Sequence, residues 1–176
     1  MHKVLYVVSA AFMGVAILTL GIQTASAAPC TTTLAAGADI QSAINAATAG
    51  DVICLSAGTY SPTAKININQ SLTLQGPQAG IDPRPIAGTS RVPGDTLTEA
   101  IIDGGGLSGI IVITADNVVL DGLEVRGGSG DLIDSDSPFM GTILRYNIVY
   151  DSSGDEGMQI RACTDCFIEY NYVFNT

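Results

Sequence analysis

The chain has 176 residues with 17 Asp and Glu against 7 Lys and Arg, which gives a formal net charge of −10 at pH 7. This acidic balance argues against nucleic acid and anionic membrane surfaces as partners. The single histidine, His2, lies at the extreme N-terminus, so a Ser-His-Asp hydrolase, a histidine general base and a His-ligated zinc site are excluded from the rest of the chain.

Residues 1–27 have the layout of a secretory signal peptide. The basic start Met1-His2-Lys3 precedes an apolar run from Val4 to Leu20 and the small triplet Ala25-Ser26-Ala27. An uncleaved anchor is the alternative, because the apolar run could nearly span a bilayer. The small residues and the lack of a basic stop-transfer flank favour cleavage. We therefore expect a secreted, periplasmic or cell-surface domain of residues 28–176, with no membrane contact after cleavage.

Four cysteines, Cys30, Cys54, Cys163 and Cys166, follow the predicted cleavage site. An even count in an oxidising compartment favours disulfides, although four cysteines allow three connectivities. We favour Cys30–Cys54, which would tie the mature N-terminus to the first strand, and Cys163–Cys166 within one turn. The alternative for the second pair is a redox C-x-x-C motif, which here lacks the strand-to-helix context of thioredoxins.

One short amphipathic helix is predicted before the first strand. Asp39 suits the N-cap, Ile40 and Ile44 share an apolar face, and Gly50 suits the position after the helix end. A strand over residues 52–55 follows at once. Such a helix would cover the apolar end of a solenoid, whereas a helix on the sheet of another α+β fold is the alternative.

Alternating strands are predicted over residues 65–69 and 71–75, and strand character resumes at residues 100–103, 110–113 and 118–125. Between them, residues 78–99 are rich in proline and lose the pattern. We predict one long loop there, since proline cannot donate to a central ladder. The loop either carries a binding function or folds back over the coil.

The last sixty residues repeat at an interval of 24. Leu120, Leu144 and Ile168 fall in one column of the repeat. A second column contains Val125, Val149 and Val173. A period of this length indicates one turn of a solenoid, and we interpret each repeat as one coil of an all-β parallel β-helix.

The helix, the following segment DVICLSAGTY and the later repeats resemble the N-terminal part of exported right-handed parallel β-helix proteins with the pectin-lyase-like fold. The resemblance implies a right-handed solenoid with a short N-terminal capping α-helix. It also implies that Asn147 and Asn171, one repeat apart, stack as an asparagine ladder. The family includes polysaccharide lyases, glycoside hydrolases, adhesins and many proteins of unassigned role, so the resemblance is specific for fold and not for reaction.

Acidic residues recur at one position of the repeat, where Ser129-Gly130-Asp131 aligns with Ser153-Gly154-Asp155. We expect Asp131 and Asp155 to lie about 4.8 Å apart in adjacent coils, with Glu156 beside them. Two carboxylates this close repel unless a proton or a cation intervenes. An oxygen-rich cluster without histidine suits calcium, whereas ordinary solvated turns are the alternative.

The resemblance makes a calcium-assisted uronate polysaccharide lyase the first enzyme hypothesis, with a glycoside hydrolase as the second. In such a lyase the cation neutralises the uronate carboxylate and a Lys or Arg removes a proton. Arg161 is the first candidate for that base, and Arg145 and Arg126 follow. The structural alternative for Arg161 is a salt bridge to a stacked acid on the next coil. An acidic or cell-wall polysaccharide would be the partner in this case.

The other hypothesis is a non-catalytic carbohydrate-binding, adhesive or structural β-helix module. A binding module would present aromatic side chains in a row. The aromatic residues available for this are Tyr146, Tyr150, Tyr170, Tyr172 and Phe174. The last repeat ends without a closing cap, so we also expect further coils or a partner to cover that end.

Overall fold

The computed structural model describes residues 28–89, 91–135, 138–154 and 156–176. Within these ranges the chain forms a parallel β-solenoid of about six turns with one short α-helix. The predicted all-β parallel solenoid is therefore confirmed, and its right hand stays a prediction. The predicted signal peptide lies outside the described residues.

The strands are short, as expected for a chain that turns a corner every few residues. The elements of the described ranges, in chain order, are β1 (Thr32–Leu34), α1 (Ile40–Ala46), β2 (Val52–Leu55), β3 (Gly58–Tyr60), β4 (Ile66–Ile68), β5 (Thr73–Gln75), a 3-10 helix (Pro85–Ala87), β6 (Ala100–Asp103), β7 (Ile111–Ile113), β8 (Val119–Asp121), β9 (Glu124–Gly128), β10 (Ile133–Ser135), β11 (Phe139–Met140), β12 (Ile143–Arg145), β13 (Ile148–Ser152), β14 (Met158–Ile160), β15 (Cys163–Thr164), β16 (Phe167–Glu169) and β17 (Tyr172–Phe174).

Successive coils stack their strands into long parallel sheets. The first sheet has the order β1-β2-β5-β8-β12-β16, and the second has the order β3-β6-β9-β13-β17. The third sheet is β4-β7-β10-β14, and β11 pairs with β15 in a short fourth one. Each strand thus has its ladder partners in the coils before and after it, not in its own coil.

The repeat of 24 residues sets the register of the last three coils in two sheets. Leu120 pairs with Leu144 and Leu144 with Ile168 in the first sheet. Val125, Val149 and Val173 are partners in the second sheet. Both predicted columns are confirmed.

Left-handed backbone corners recur at the same interval. Only a φ near +60° bends the chain this sharply, and Gly, Asn and Asp adopt it most easily. Three columns of such corners, with φ between 51° and 74°, are Asn117, Gly141 and Asp165; Gly122, Tyr146 and Tyr170; and Gly127, Asp151 and Asn175. These corners divide each of the last coils into strands of similar length.

The interior is filled by apolar side chains that point inward from all three long sheets. Leu74, Leu120 and Leu144 stack there without solvent exposure. Helix α1 adds Ile40 and Ile44 to the same core and contacts β4. Its N-cap is Asp39, as predicted, which accepts a hydrogen bond from the Ser42 amide at 3.2 Å. The helix ends at the C-cap Ala47, earlier than the position of Gly50 predicts.

Asn147 and Asn171 form the predicted ladder at the corner between the first and second sheets. The buried Asn147 side chain accepts from the Leu123 amide at 3.0 Å and donates to the Leu120 carbonyl at 3.0 Å. The backbone amide and the side-chain amide of Asn147 also donate to Asn171 Oδ1, at 2.9 and 3.0 Å respectively. The ladder therefore satisfies backbone groups that the corner removes from the sheets.

Both favoured disulfides are present. Cys30 is bonded to Cys54, with a Cα–Cα distance of 5.6 Å, and Cys163 to Cys166, with 5.9 Å. The first joins residues 24 positions apart and the second residues 3 apart. Disulfides are typical of oxidising, extracellular environments.

The last coil exposes apolar side chains that its predecessor buries. Ile168 and Val173 are 53% and 41% exposed, whereas Leu144 and Val149 in the same columns are fully buried. The expectation that further coils or a partner cover this end stays a prediction.

We expect Asn147→Ala to lower the free energy of unfolding by roughly 2–4 kcal/mol, because buried amide and carbonyl groups lose their partners. Urea denaturation measures this effect. Asn69→Ala, at an exposed position outside the ladder, is the control. Equal losses in both variants would contradict a structural role for the ladder.

Removal of the two disulfides should have unequal effects, because the chain entropy that a disulfide removes grows with the length of the loop it closes. We expect Cys30→Ala/Cys54→Ala to cost about 3.5 kcal/mol and Cys163→Ala/Cys166→Ala about 2 kcal/mol. Urea denaturation of both double variants tests the order, and a larger loss in the second would contradict it.

Candidate functional site

A cleft of about 610 Å³ lies between the 78–99 loop and the outer face of the second sheet. The loop side is formed by Pro83, Pro85 and Pro93. Prolines suit a rigid wall, since their ring restricts the backbone and offers an apolar surface. We call this space the aromatic cleft.

The opposite wall is a stack of aromatic rings from the last two coils. Tyr150 and Phe174 are register partners in β13 and β17, and their ring centroids lie 4.8 Å apart with nearly parallel planes. Tyr172, two residues before Phe174 on the same strand, has its ring centroid 4.5 Å from that of Phe174. Tyr150 is buried, whereas Tyr172 and Phe174 are half-buried, so the accessible rings are those of the last coil.

Polar groups complete the lining of the aromatic cleft. Asp151 and Asn175 occupy the same corner column in adjacent coils, and the Asn175 amide donates to Asp151 Oδ1 at 3.5 Å. Thr89 adds a hydroxyl from the loop. The aromatic cleft thus combines apolar walls with hydrogen-bonding groups at its edge, the usual composition of a ligand site.

A buried carboxylate anchors the loop beneath the cleft. Glu124 is fully buried and accepts the Gly94 amide at 2.9 and 3.1 Å and the Tyr150 hydroxyl at 2.8 Å. Gly94 has a φ of 85°, which favours glycine, and its neighbour Pro93 lines the cleft. Glu124 therefore holds the loop wall and an aromatic ring of the other wall at once.

Arg126 closes this network on the solvent side. Its guanidinium donates to the Tyr150 hydroxyl at 2.9 Å and to Asp103 at 3.1 Å, and lies 3.8 Å from Glu124. Burial raises the pKa of Glu124 despite these donors, because the charged form loses its hydration. Burial also raises the pKa of Tyr150 to about 12, so its hydroxyl is neutral at physiological pH.

A buried ion pair fixes the loop at a second point. Arg91 and Glu99 are 2.7 Å apart and almost inaccessible to solvent. Arg91 also donates to the carbonyls of Ile81 and Tyr146, the latter at a corner of the fifth coil. Breaking such a pair leaves an uncompensated buried charge, so moving the loop away from this position costs free energy.

Gly122 allows the start of the loop to lie directly on the solenoid. A Cβ atom at this corner would overlap the backbone of Gln78 and Ala79. The Gly80 amide donates to Asp121 Oδ1 at 3.0 Å nearby. The same corner carries Tyr146 and Tyr170 in the next two coils, where the loop does not approach as closely. The 78–99 loop thus folds back over the coil, one of its two expected arrangements.

The predicted base candidates lie in two different settings. Arg145 bridges to Asp121 at 2.9 Å and Arg126 to Asp103 at 3.1 Å, so both pair with an acid of the preceding coil. Arg161 follows β14 with an exposed side chain, and its amide donates to Ser135 Oγ at 3.0 Å. It lies on a different sheet from the aromatic cleft.

The stacking of Asp131 on Asp155 rests on a step of 24 that the third sheet does not keep. Ile133 pairs with Met158, one residue further along than the step from Val125 to Val149. The turn before β14 holds the extra residue, and the amide of Glu156 donates to Asp131 Oδ1 at 3.1 Å. This hydrogen bond places the Glu156 backbone beside Asp131, and the stacking of Asp131 on Asp155 stays a prediction.

Asp155 itself lies outside the described residues. Among those that are described, no group of three or more His, Cys, Asp and Glu side chains is placed to hold a metal ion. The calcium hypothesis for Asp131, Asp155 and Glu156 stays a prediction.

A second cleft of about 420 Å³ lies beside the start of α1, lined by Tyr60, Lys65 and Asp39. Its carboxylate is already used in local structure, because Asp39 accepts the Ser42 hydroxyl at 2.6 Å. That hydrogen bond is the main reason for the lowered pKa of Asp39. We therefore regard the aromatic cleft as the better candidate site.

No protein-family model, curated protein or solved structure matches this chain. The residues of the aromatic cleft are thus the basis for a functional proposal.

Sequence reasoning identified the aromatic row but missed its polar support. Arg91 and Glu99 gave no repeat signal, because both lie in the long loop that interrupts one of the coils, and Glu124 lies in the next coil. One signal was present: Glu124 occupies a strand position whose equivalent in the next coil is the buried Ile148. A carboxylate at a buried position of such a column indicates that another segment of the chain covers it and donates hydrogen bonds to it.

We expect the stability of the protein to fall as pH rises above about 4.5, the ordinary glutamate value, because Glu124 has a raised folded-state pKa. The folded protein binds this proton more tightly than the unfolded chain. The stabilisation is complete below the ordinary value and is lost as pH rises through the raised one. Urea denaturation at intervals from about pH 4 to about pH 8 measures it.

Glu124→Gln removes the titrating group while keeping the side-chain size. The difference in unfolding free energy between the wild type and this variant should therefore change with pH across that window. Parallel curves for the two proteins would contradict the raised pKa.

Proposed function

We propose that this protein is an exported, right-handed β-helix protein of the pectin-lyase-like kind that binds polysaccharide through the aromatic cleft without chemical turnover. The observation that carries the proposal is the pair of accessible rings, Tyr172 and Phe174, that faces the proline wall of the loop. It favours the carbohydrate-binding alternative over the enzyme.

The composition of the aromatic cleft suits a sugar ring. Pyranose rings have apolar C–H faces and a rim of hydroxyls, so they match aromatic or proline walls with polar groups at the edge. Asp151 can accept hydroxyl hydrogens, and Asn175 can both donate and accept. The Thr89 hydroxyl donates to the Asp82 carbonyl at 2.5 Å, so it is left as an acceptor. The volume of about 610 Å³ is in the range of ordinary ligand sites.

The rigidity of both walls supports binding. The rings are held by ladder pairing and by the Tyr150 hydroxyl, and the loop wall by Glu124 and the Arg91–Glu99 pair. A preformed site loses little conformational entropy when it binds a ligand.

Export is supported by the sequence of residues 1–27 and by two disulfides, which are typical of oxidising compartments. None of the helices in the described part of the chain is both long and apolar enough to span a bilayer.

The calcium-assisted uronate lyase remains the second proposal. Its support is the hydrogen bond from the Glu156 amide to Asp131 across adjacent coils, with Arg161 at the other end of the short strand β14 that follows Glu156. Arg161 would be the base and Asp131, Asp155 and Glu156 the calcium ligands. This site would be separate from the aromatic cleft.

We expect Tyr172→Ala to weaken binding to the recognised glycan by roughly tenfold, since an exposed ring that stacks on a ligand is a typical binding hot spot. Isothermal titration calorimetry against a panel of neutral and uronic-acid oligosaccharides measures the affinity. Phe167→Ala is the matched control, because this ring belongs to the same coil, is 59% exposed and lies on the first sheet.

Equal losses in the two variants, or no glycan binding at all, would refute binding at the aromatic cleft. Release of unsaturated product from pectate or alginate that needs calcium and is abolished in Arg161→Ala would establish the lyase proposal in its place.

A further inference from the structure

We infer that the aromatic cleft selects neutral glycans and rejects uronate polymers. The inference rests on the proposed polysaccharide-binding function and narrows its ligand class. It follows from the charges that line and surround the cleft.

The cationic group that lines the aromatic cleft is already neutralised. Arg91 donates through Nε and one terminal nitrogen to the two oxygens of Glu99, at 2.9 and 2.7 Å. Its other terminal nitrogen serves two backbone carbonyls. Recognition of a carboxylate by arginine needs a free fork of N–H donors, and Arg91 has none to offer while the loop stays in place.

The neighbouring arginines are committed in the same way. Arg126 is held by Asp103 and by the Tyr150–Glu124 pair. Arg84, on the loop, makes a salt bridge with Asp82 and lies over the Tyr170 ring. Cations are thus concentrated near this face, but each is matched by a carboxylate of the chain itself.

The charge that remains accessible in the aromatic cleft is negative. Asp151 is exposed at a corner with a φ of 56°, and the Asn175 amide contacts it at the long distance of 3.5 Å. Its oxygens can accept from sugar hydroxyls. Asp151 would instead repel a uronate carboxylate about 4 Å away, and in water this repulsion would lower the affinity about fivefold. The net charge of −10 adds a repulsive background.

The test compares uronic-acid oligomers with the same oligomers after carboxyl reduction, which makes them neutral without changing the linkage. Calorimetry at low and high salt gives the affinity of each member of a pair for the full-length protein. For every neutral oligomer that binds, we expect an affinity at least about fivefold higher than that of its acidic parent at low salt. The ratio of the two affinities should be smaller at high salt, because salt screens the repulsion.

Asp151→Asn is the diagnostic variant. Asparagine tolerates the left-handed corner and keeps a hydrogen-bonding side chain, so the ratio should shrink without loss of the fold. Asp165→Asn is the matched control, because Asp165 occupies an equivalent corner with a φ of 55° away from the cleft. It should leave the ratio unchanged.

Two failures are distinguishable. Tyr172-dependent binding of uronates as tight as that of their neutral forms would overturn the charge selectivity and leave the proposed function standing. A ratio that Asp151→Asn does not change would overturn the assignment of this selectivity to the charge of the aromatic cleft, and the proposed function would again stand. Binding of neither form, or binding that Tyr172→Ala does not weaken, would overturn the proposed function and this inference with it.

Discussion

Coil-to-coil register is the constraint on which the rest of the structure depends. Each described strand hydrogen-bonds with strands of neighbouring coils, so the register between coils decides which side chains stack on one another. Left-handed corners recurring every 24 residues in the last coils hold that length constant. The apolar columns and the asparagine ladder are consequences of the same spacing. Equivalent positions of successive coils stack at about 4.8 Å. The side chain that recurs in a column therefore determines the chemical character of that face of the solenoid.

The aromatic cleft exists because one coil violates that regularity. The chain adds the 78–99 loop between β5 and β6, and the loop returns over the outer face of the second sheet. There it would bury strand positions that in a regular solenoid face water, and Glu124 shows how the conflict is resolved. Its carboxylate receives the Gly94 amide and the Tyr150 hydroxyl, so a buried charge becomes the attachment point of the loop. The raised pKa of Glu124 shows that these donors do not fully offset its lost hydration.

The repeat predicted the parts of the molecule in which each residue has an equivalent one coil away. The stacking of Leu120 on Leu144 followed from the spacing, the ladder of Asn147 and Asn171 from the family resemblance, and both disulfides from their local context. The stacking of Asp131 on Asp155 stays a prediction, since Asp155 lies outside the described residues. The aligned Ser-Gly-Asp triplets do not reveal that the step from Ile133 to Met158 is one residue longer than 24. The loop contacts could not be predicted for a related reason. Arg91 reaches Tyr146 across 55 positions of sequence, and no periodicity relates them. The aromatic row was predictable as a set of rings, but not the proline wall opposite it.

The two walls of the aromatic cleft come from distant parts of the sequence, and different structural constraints determine their residues. The rings lie on β13 and β17, where the repeat requires residues that stack, and aromatic rings satisfy this requirement whether or not a ligand binds. The proline wall has no such requirement, since a loop that served only to cover the sheet would need apolar side chains directed at it. Pro83, Pro85 and Pro93 instead leave about 610 Å³ of space before the rings. A loop held by a buried ion pair and a buried carboxylate could have closed on the sheet, and a rigid wall that stops short of it is better suited to a ligand than to packing.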